Sequence, residues 1–386
     1  MMKHAWKWAV AGALVMAGCG GNTVEPLEEK AARPVVQRYA ALVHENYSEV
    51  VTKAQALRTA VNAFVANPTE ARLTAAKSAW LESRSSYGQS EVFRFYGGPI
   101  DNEDTGPEGL INAWPLDEAY IDGVVGAPNG GIINDTAGHP TLSEDLISSL
   151  NERDSETNIA SGYHAIEFLL WGQDLSPSGP GNRPYTDFVD GGTRTNAARR
   201  RQYLALTTDL LVKDLESVRV EWQPGASNYG QEFAASAPKE AVLKMLTGMG
   251  SLSGAELSGE RMTTAYDNKD QEDEHSCFSD NTHADIYANA LGIENVYLGR
   301  YGATDGAGLD ELVEAVDPAL NKKMKERLQA SLTAIKAIPA PFDQAILGAD
   351  SSPGRQKVRA AIDALQAQTE TLVEVATALG ITLNLE

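Results

Sequence analysis

The chain contains 386 residues, of which 42% are hydrophobic and 22% are charged, a composition typical of a folded protein. Its 32 Lys and Arg residues against 53 Asp and Glu residues give a formal net charge of -21. A negative surface repels nucleic acid and anionic lipid headgroups, so neither is expected as the main partner, whereas cations and basic polypeptides are attracted. The two cysteines exclude a disulfide-rich scaffold.

Residues 1–18 are typical of a bacterial lipoprotein signal peptide. Two lysines precede an apolar run that is too short to span a bilayer, and Met-Ala-Gly leads directly into Cys19. Small residues before a cysteine form a lipobox, so Cys19 is the expected lipidation site and 19–33 the expected tether; an ordinary signal peptide with a chance cysteine is the alternative. Gly20, where inner-membrane lipoproteins have Asp, favours an outer-membrane anchor facing the periplasm. Lipidation would leave Cys277 without a partner in the chain.

The spacing of apolar residues predicts an all-α fold made of helical bundles. Asn67-Pro68-Thr69 should separate the first two helices, with Thr69 as an N-cap, and two segments rich in Gly and Pro, 97–141 and 172–192, should be irregular. No alternating pattern indicates a β-strand. Helices are expected at about 35–65, 70–95, 142–150, 159–170, 195–221, 228–265, 283–299, 317–337 and 355–379.

A weak internal similarity suggests two related halves. Residues 90–95, which include Glu91, and residues 258–262, which include Glu260, each end a long predicted helix before an irregular segment. We therefore expect two helical-bundle domains, 34–192 and 193–386, with long irregular connections and an origin by internal duplication.

The sharpest motif is Gly162-x-His164-x-x-Glu167, followed by Trp171. On a helix, His164 and Glu167 share a face, so they could bind a metal, act as an acid–base pair or form a structural hydrogen bond. Gly162 would allow another backbone to approach closely. The spacing alone is a weak signal, because six histidines make a chance match common.

Two further segments carry charged groups that could join such a site. The acidic segment 266–285 contains His275, Cys277 and His283, and suits a folded loop better than a solvated tail. The segment 80–95 mixes aromatic residues with charged ones, including Arg94; surface ion pairs are the ordinary interpretation, and a functional one requires Glu91 to turn inward.

Together these segments resemble the imelysin family, also called the M75 peptidase family, over roughly residues 34–380. The matching features are the Gly162-x-His164-x-x-Glu167 motif with Leu170-Trp171-Gly172, the arginine- and glutamate-bearing helix end at 84–94, and the segment EDEHSCFSDNTH. The resemblance implies two helical bundles with a site at His164 and Glu167 near their junction. It also implies a part in bacterial iron acquisition, alongside possible outer-membrane uptake proteins.

Three functions stay open at this point. The favoured one is a periplasm-facing lipoprotein that binds a metal ion, iron ahead of zinc, at His164 and Glu167, with Glu91 or, less strongly, Glu260 as a third ligand. The second is a metallopeptidase in which Glu167 is either a ligand or a general base. The third is a non-catalytic lipoprotein that docks a partner, with the motif bracing the fold. Gly162, Arg94, Trp171, His275 and His283 are expected to support the site.

Overall fold

The computed structural model describes residues 29–176 and 178–385. The predicted signal peptide, Cys19 and the tether up to residue 28 lie outside the described residues, so these assignments stay predictions. The first helix begins at Glu29, and residues 29–33, expected in the tether, therefore belong to it. Within the described ranges, no helix is long and apolar enough to cross a membrane.

The described residues form α-helices joined by irregular segments and include no β-strand, which confirms the predicted all-α class. In chain order the α-helices are α1 (Glu29–Ala66), α2 (Glu70–Gly88), α3 (Glu108–Ile111), α4 (Glu118–Ile121), α5 (Glu144–Leu150), α6 (Gly162–Trp171), α7 (Ala197–Glu221), α8 (Tyr229–Ala235), α9 (Pro238–Ser251), α10 (Thr264–Asn268), α11 (Thr282–Leu298), α12 (Leu309–Val316), α13 (Pro318–Lys336), α14 (Phe342–Ile346) and α15 (Pro353–Ala378). A π-helical segment, Leu252–Thr263, joins α9 to α10.

Helix α2 begins as predicted and ends early. Thr69 is its N-cap, accepting a hydrogen bond from the Arg72 backbone N–H. The helix ends at Gly88 instead of continuing to residue 95. The physical reason is local: the backbone N–H and the hydroxyl of Ser90 both donate to the Tyr87 carbonyl oxygen, at 2.8 and 2.7 Å, which tightens the chain into a 3-10 turn.

The single helix predicted over 228–265 is divided in the structure. Helix α8 ends at Ala235, and Pro238, which lacks a backbone N–H, starts α9. Beyond Ser251 the chain widens into the π-helix, a form often found at functional sites. The spacing of apolar residues does not distinguish one long helix from two shorter ones, or an α-helix from a π-helix, because each presents an apolar face to the core.

The long helices pack in two groups. In the first helix group α1 lies against α2 and α7, and α6 also packs on α2 and α7; in the second, α15 contacts α13 and the π-helix, and α13 contacts α11. Contacts of α2 with α11 and of α1 with α9 join the groups. Helix α7, expected after the boundary at residue 193, thus packs in the first group. The two-domain division and the duplication stay predictions.

Helix α6 is completely buried and is held on α2 by aromatic residues. The Trp80 indole N–H donates to the Tyr163 carbonyl oxygen at 3.0 Å, and the Trp80 and Trp171 rings meet edge to face with centroids 5.4 Å apart. The hydroxyls of Ser83 and Tyr163 are hydrogen-bonded at 2.7 Å. These contacts fix the rotation of α6 about its axis, and therefore the direction in which His164 and Glu167 point.

A buried carboxylate organises the irregular connections. Asp122 Oδ2 accepts hydrogen bonds from Arg183 at 2.8 Å and from Arg200 at 2.7 Å, and its Oδ1 accepts from Asn134 at 3.0 Å. Burial by itself would raise the pKa of Asp122, but the two guanidinium groups hold it well below its usual range. The charge network therefore ties the long segments before and after α6 to α7.

The start of α6 requires a glycine. Gly162 has a φ of +85°, and a β-carbon at this position would lie 2.5 Å from the Ile111 carbonyl oxygen and 2.8 Å from that of Leu110. The Ser161 hydroxyl donates to the same Leu110 oxygen at 3.0 Å. The backbone around residue 110 thus rests directly on the first turn of the helix that carries His164.

We predict that Gly162→Ala destabilises the fold by more than about 1 kcal/mol. A strained backbone conformation usually costs about 1–3 kcal/mol, and the added methyl group also meets the Ile111 carbonyl. Urea unfolding of the two proteins measures the difference. Gly179→Ala is the matched control, since a β-carbon there meets nothing within 4 Å. Equal destabilisation by both substitutions would contradict this account of Gly162.

Candidate functional site

The two motif side chains form a buried hydrogen-bonded pair. His164 Nδ1 lies 3.0 Å from Glu167 Oε2, and both side chains have no exposed surface. The second carboxylate oxygen, Oε1, accepts from the backbone N–H of Ser279 at 3.0 Å and from its hydroxyl at 2.6 Å. Both oxygens of Glu167 are therefore engaged, and this residue orients His164 instead of standing free beside it as a ligand.

Burial determines the protonation of this pair. It lowers the pKa of His164 well below its usual value, and the positive charge of Arg84 lowers it further. Burial raises the pKa of Glu167 to about 8, although the Ser279 hydrogen bonds and Arg84 act in the opposite direction. Below that pKa the pair holds two protons, one between Oε2 and Nδ1 and one on Nε2. Loss of one proton leaves Nδ1–H donating to an ionised carboxylate.

The other imidazole nitrogen, Nε2, is buried without a hydrogen-bond partner among the described residues. Once the pair has lost one proton, this nitrogen carries an unused lone pair. Metal-binding histidines commonly have this arrangement, in which a carboxylate holds the opposite N–H and fixes the tautomer. A cation that bound Nε2 would displace one proton.

A second imidazole stands beside the first. The ring of His275 meets that of His164 edge to face, with centroids 4.8 Å apart. Its Nδ1 lies 3.3 Å from a guanidinium nitrogen of Arg84 and 3.6 Å from Asp285 Oδ2. Burial and then the positive charges of Arg261 and Arg84 lower the pKa of His275 well below its usual value. Both rings are therefore neutral at neutral pH, the form that binds cations.

The Trp114 indole also packs against His164. Its ring centroid lies 4.9 Å from that of His164 and 5.8 Å from that of Phe278. Trp114 is partly exposed, whereas His164 is sealed. Neither Trp114 nor Ser279 was singled out from the sequence; both belong to loops that only the tertiary fold brings to α6.

Glu91, the first candidate for a third ligand, turns inward but toward other partners. Its Oε2 accepts from Arg94 at 2.9 Å and from Arg261 at 2.7 Å, and its Oε1 accepts from Asn112 at 2.9 Å. Burial would raise the pKa of Glu91, but Arg261 and Arg94 hold it well below its usual range. The structure therefore shows Glu91 paired with two guanidinium groups, with Asn112 and Arg84 linking it to the His275 side of the site.

A cavity of about 360 Å³ opens next to this network. His275, Trp114 and Arg94 contribute to its wall, as does Glu260, the second candidate ligand, which is exposed on the π-helix. Its acidic residues are Glu108, Glu152, Glu256, Glu260, Glu272 and Asp273. Burial, reinforced by neighbouring carboxylates, raises the pKa of Glu272 to about 7. The cavity is thus a predominantly acidic recess with one imidazole in its wall.

The remaining sequence candidates occupy other positions. Trp171 packs on Trp80, with the Lys77 ammonium 5.2 Å from its ring, and does not line this cavity. His283 is half-buried in the first turn of α11 and has a buried Nδ1 without a hydrogen-bond partner in the described chain. Cys277 is a buried free thiol whose pKa is raised well above its usual value by burial, which leaves it a poor nucleophile.

The arrangement partly fits a metal ion. In the part of the chain that the structure describes, no three His, Cys, Asp or Glu side chains are grouped closely enough to hold one. The possible metal ligands are the unpartnered Nε2 of His164, a second imidazole at His275 and the carboxylates across the recess. A catalytic zinc site normally has three protein ligands, and this donor set does not supply them.

Comparison with known proteins agrees with this architecture. The model of the family described as Imelysin, Peptidase M75, matches residues 43–372. A protein named Iron-regulated protein A from Synechococcus elongatus is 24% identical over 341 residues, covering 86% of this chain and 82% of that protein.

Two crystal structures share the fold. One is described as an iron-regulated protein A precursor from Parabacteroides distasonis ATCC 8503 and has a TM-score of 0.72 at 21% identity, covering 92% of this chain and 96% of that one. The other, an imelysin-like protein from Psychrobacter arcticum 273-4, has a TM-score of 0.63 at 13% identity, covering 92% and 98%. At these identities the structures support the fold alone. The family match spans most of the sequence, and the chain belongs to the imelysin family.

Proposed function

We propose that this protein is a cell-envelope lipoprotein that binds iron as cargo during bacterial iron uptake, at the recess beside His164. The iron-related part is supported by the name of the Synechococcus relative. The envelope location is supported by the lipobox before Cys19. Anchoring through Cys19 at the outer membrane would place the recess in the periplasm, where it could receive a cation from, or pass it to, other uptake proteins.

The observation that carries the proposal is the unpartnered Nε2 of His164. A fully buried imidazole nitrogen without a hydrogen bond is unfavourable unless a ligand uses it. Glu167 presets its tautomer, and Ser279 in turn holds Glu167. The fold therefore keeps a nitrogen donor oriented at the expense of stability, as binding sites commonly do.

The surroundings favour a cation such as ferrous or ferric iron, with zinc as the chemical alternative. Imidazole nitrogen and carboxylate oxygen are ligands that iron accepts readily. The six acidic residues of the recess wall attract positive ions into it. The arginines that face the same recess are already paired with carboxylates, Arg94 with Glu91 and Glu108 and Arg261 with Glu91 and Glu256. Because the protein supplies an incomplete ligand set, the cation would keep exchangeable ligands, which suits cargo that must be released.

The two other functions suggested by the sequence have weaker support. A metallopeptidase needs a free general base, and both oxygens of Glu167 are engaged. A purely structural role explains the link between Glu167 and Ser279 but not the unpartnered nitrogen of His164.

Titration with Fe²⁺ under anaerobic conditions at fixed pH should show saturable binding to the wild type. We expect His164→Ala to weaken it by about 100-fold or more, because losing a ligand should exceed the effect of losing its hydrogen-bond partner. His139→Ala is the matched control, since His139 lies outside the recess wall, and it should bind like the wild type.

Each alternative function gives a different result. Cleavage of an unstructured protein that stops with chelator and with Glu167→Gln would favour the peptidase. Fe²⁺ titrations that are the same for the wild type, His164→Ala and Glu167→Gln, together with lower melting temperatures for both variants, would favour the structural role. They would contradict iron binding at His164.

The substitution Glu167→Gln separates orientation from ligation. The Gln amide oxygen can accept from Ser279, and the amide nitrogen then faces Nδ1 as a donor, which forces the imidazole proton onto Nε2. We expect Fe²⁺ affinity to fall by about 10- to 100-fold, the usual effect of losing such a partner, while the fold is retained. Nitrogen NMR of labelled histidine measures the tautomer at a pH above about 8, where the wild-type pair has lost one proton and Nε2 carries a lone pair. Unchanged affinity with a switched tautomer would contradict the role assigned to Nε2.

The lipid anchor is tested separately. Wild-type protein expressed with its own leader should fractionate with the outer membrane and incorporate labelled palmitate. Cys19→Ala should abolish incorporation and leave the protein unprocessed or released from the outer membrane. Normal processing of Cys19→Ala into a soluble periplasmic form, with no lipid on the wild type, would instead support an ordinary signal peptide.

A further inference from the structure

The donor atom of the proposed site does not reach the recess directly. His164 has no exposed surface and is absent from the cavity wall. Two side chains, His275 and Trp114, both touch its ring and line the cavity. A cation that enters the recess therefore meets these two residues first, and one of them has to move before Nε2 becomes available.

The two residues differ in how firmly they are held. His275 is close to the guanidinium of Arg84 and the carboxylate of Asp285, at 3.3 and 3.6 Å, and Arg84 and Asp285 are themselves joined at 2.8 Å. Within the described chain, no hydrogen bond ties the Trp114 side chain to any other group, and apolar packing, including its ring contacts with His164 and Phe278, holds it in place.

The position of Trp114 in the chain also favours movement. It lies in the irregular connection between α3 and α4 and is already partly exposed to the recess. Rotating a partly exposed ring removes less apolar surface from the core than displacing a buried one such as Phe278. The recess provides about 360 Å³ into which the indole can turn.

We propose that Trp114 is a movable cover over His164 Nε2, closed in the present structure, which turns into the recess to admit a cation. The identity of the cation rests on the function proposed above, whereas the cover itself does not. In the closed state the indole excludes water from the imidazole. In the open state the acidic recess and the nitrogen donor form one continuous site.

Modification of histidine by diethyl pyrocarbonate tests the cover without any metal. The reagent attacks a neutral imidazole nitrogen, and peptide mapping by mass spectrometry gives the rate for each histidine. We expect His164 to react at least about ten-fold faster in Trp114→Ala than in the wild type, the factor that corresponds to about 1.4 kcal/mol of opening free energy. His139 serves as the internal reference and should react equally in both proteins.

Trp114→Phe keeps a smaller ring over His164, so His164 should be modified at an intermediate rate. This variant allows the comparison even if the alanine variant is poorly folded. Circular dichroism and the melting temperature establish that each variant has the native fold. Equal rates for His164 in the wild type and in natively folded Trp114 variants would overturn the cover. A wild-type rate for His164 as fast as that for His139 would do the same.

Stopped-flow mixing with Fe²⁺ then links the cover to the proposed function. Association and dissociation rates should both rise about ten-fold or more in Trp114→Ala, with a smaller change in affinity, since opening affects both directions. If no protein binds Fe²⁺ but His164 is unmasked in Trp114→Ala, the cover stands and the iron function fails. If Fe²⁺ binds through His164 and its rates do not depend on Trp114, the cover fails and the iron function stands.

Discussion

The carboxylate of Glu167 is the contact on which the site depends. One oxygen holds Nδ1 of His164 within α6, and the other accepts two hydrogen bonds from Ser279 in the loop before α11. This single group therefore fixes an imidazole tautomer and fastens the second helix group to the first. A buried carboxylate with fewer partners would be too costly to keep ionised. Its three hydrogen bonds make that form accessible near neutral pH.

The polar groups around this contact form a charge-balanced layer between helices. Asp285 pairs with Arg84, Glu91 pairs with both Arg94 and Arg261, and Glu108 and Glu256 supply a second carboxylate to Arg94 and Arg261 respectively. Removing one member of such a layer leaves a buried charge unpaired, commonly at about 3–5 kcal/mol, whereas apolar packing alone could hold the helices together at lower cost. Burial within this layer, with Arg84 and Arg261 nearby, lowers the pKa of both His164 and His275 and so holds both imidazoles neutral.

The helices could be predicted well from the sequence, because a helix with one buried face has apolar residues at helical spacing. The sequence also placed His164 beside Glu167, since an i, i+3 spacing on a helix determines that neighbourhood. It could not place Ser279 or Trp114, because their contacts with the motif are set by how loops fold back over α6. For Glu91 the sequence made an inward turn the condition of a functional role, and the structure shows that turn, with the carboxylate bound by Arg261, which lies 170 positions away.

The incomplete ligand set bears directly on what the recess can do. A resident cofactor is normally held by enough protein ligands to prevent exchange, and a catalytic metal by three with one open position. Here the proposed cation would meet an oriented imidazole, a second imidazole and an acidic wall that do not enclose it. Such a site favours capture and release, and the indole of Trp114 lies where it can separate these two steps. The same geometry that weakens the case for peptidase chemistry therefore strengthens the case for transient binding.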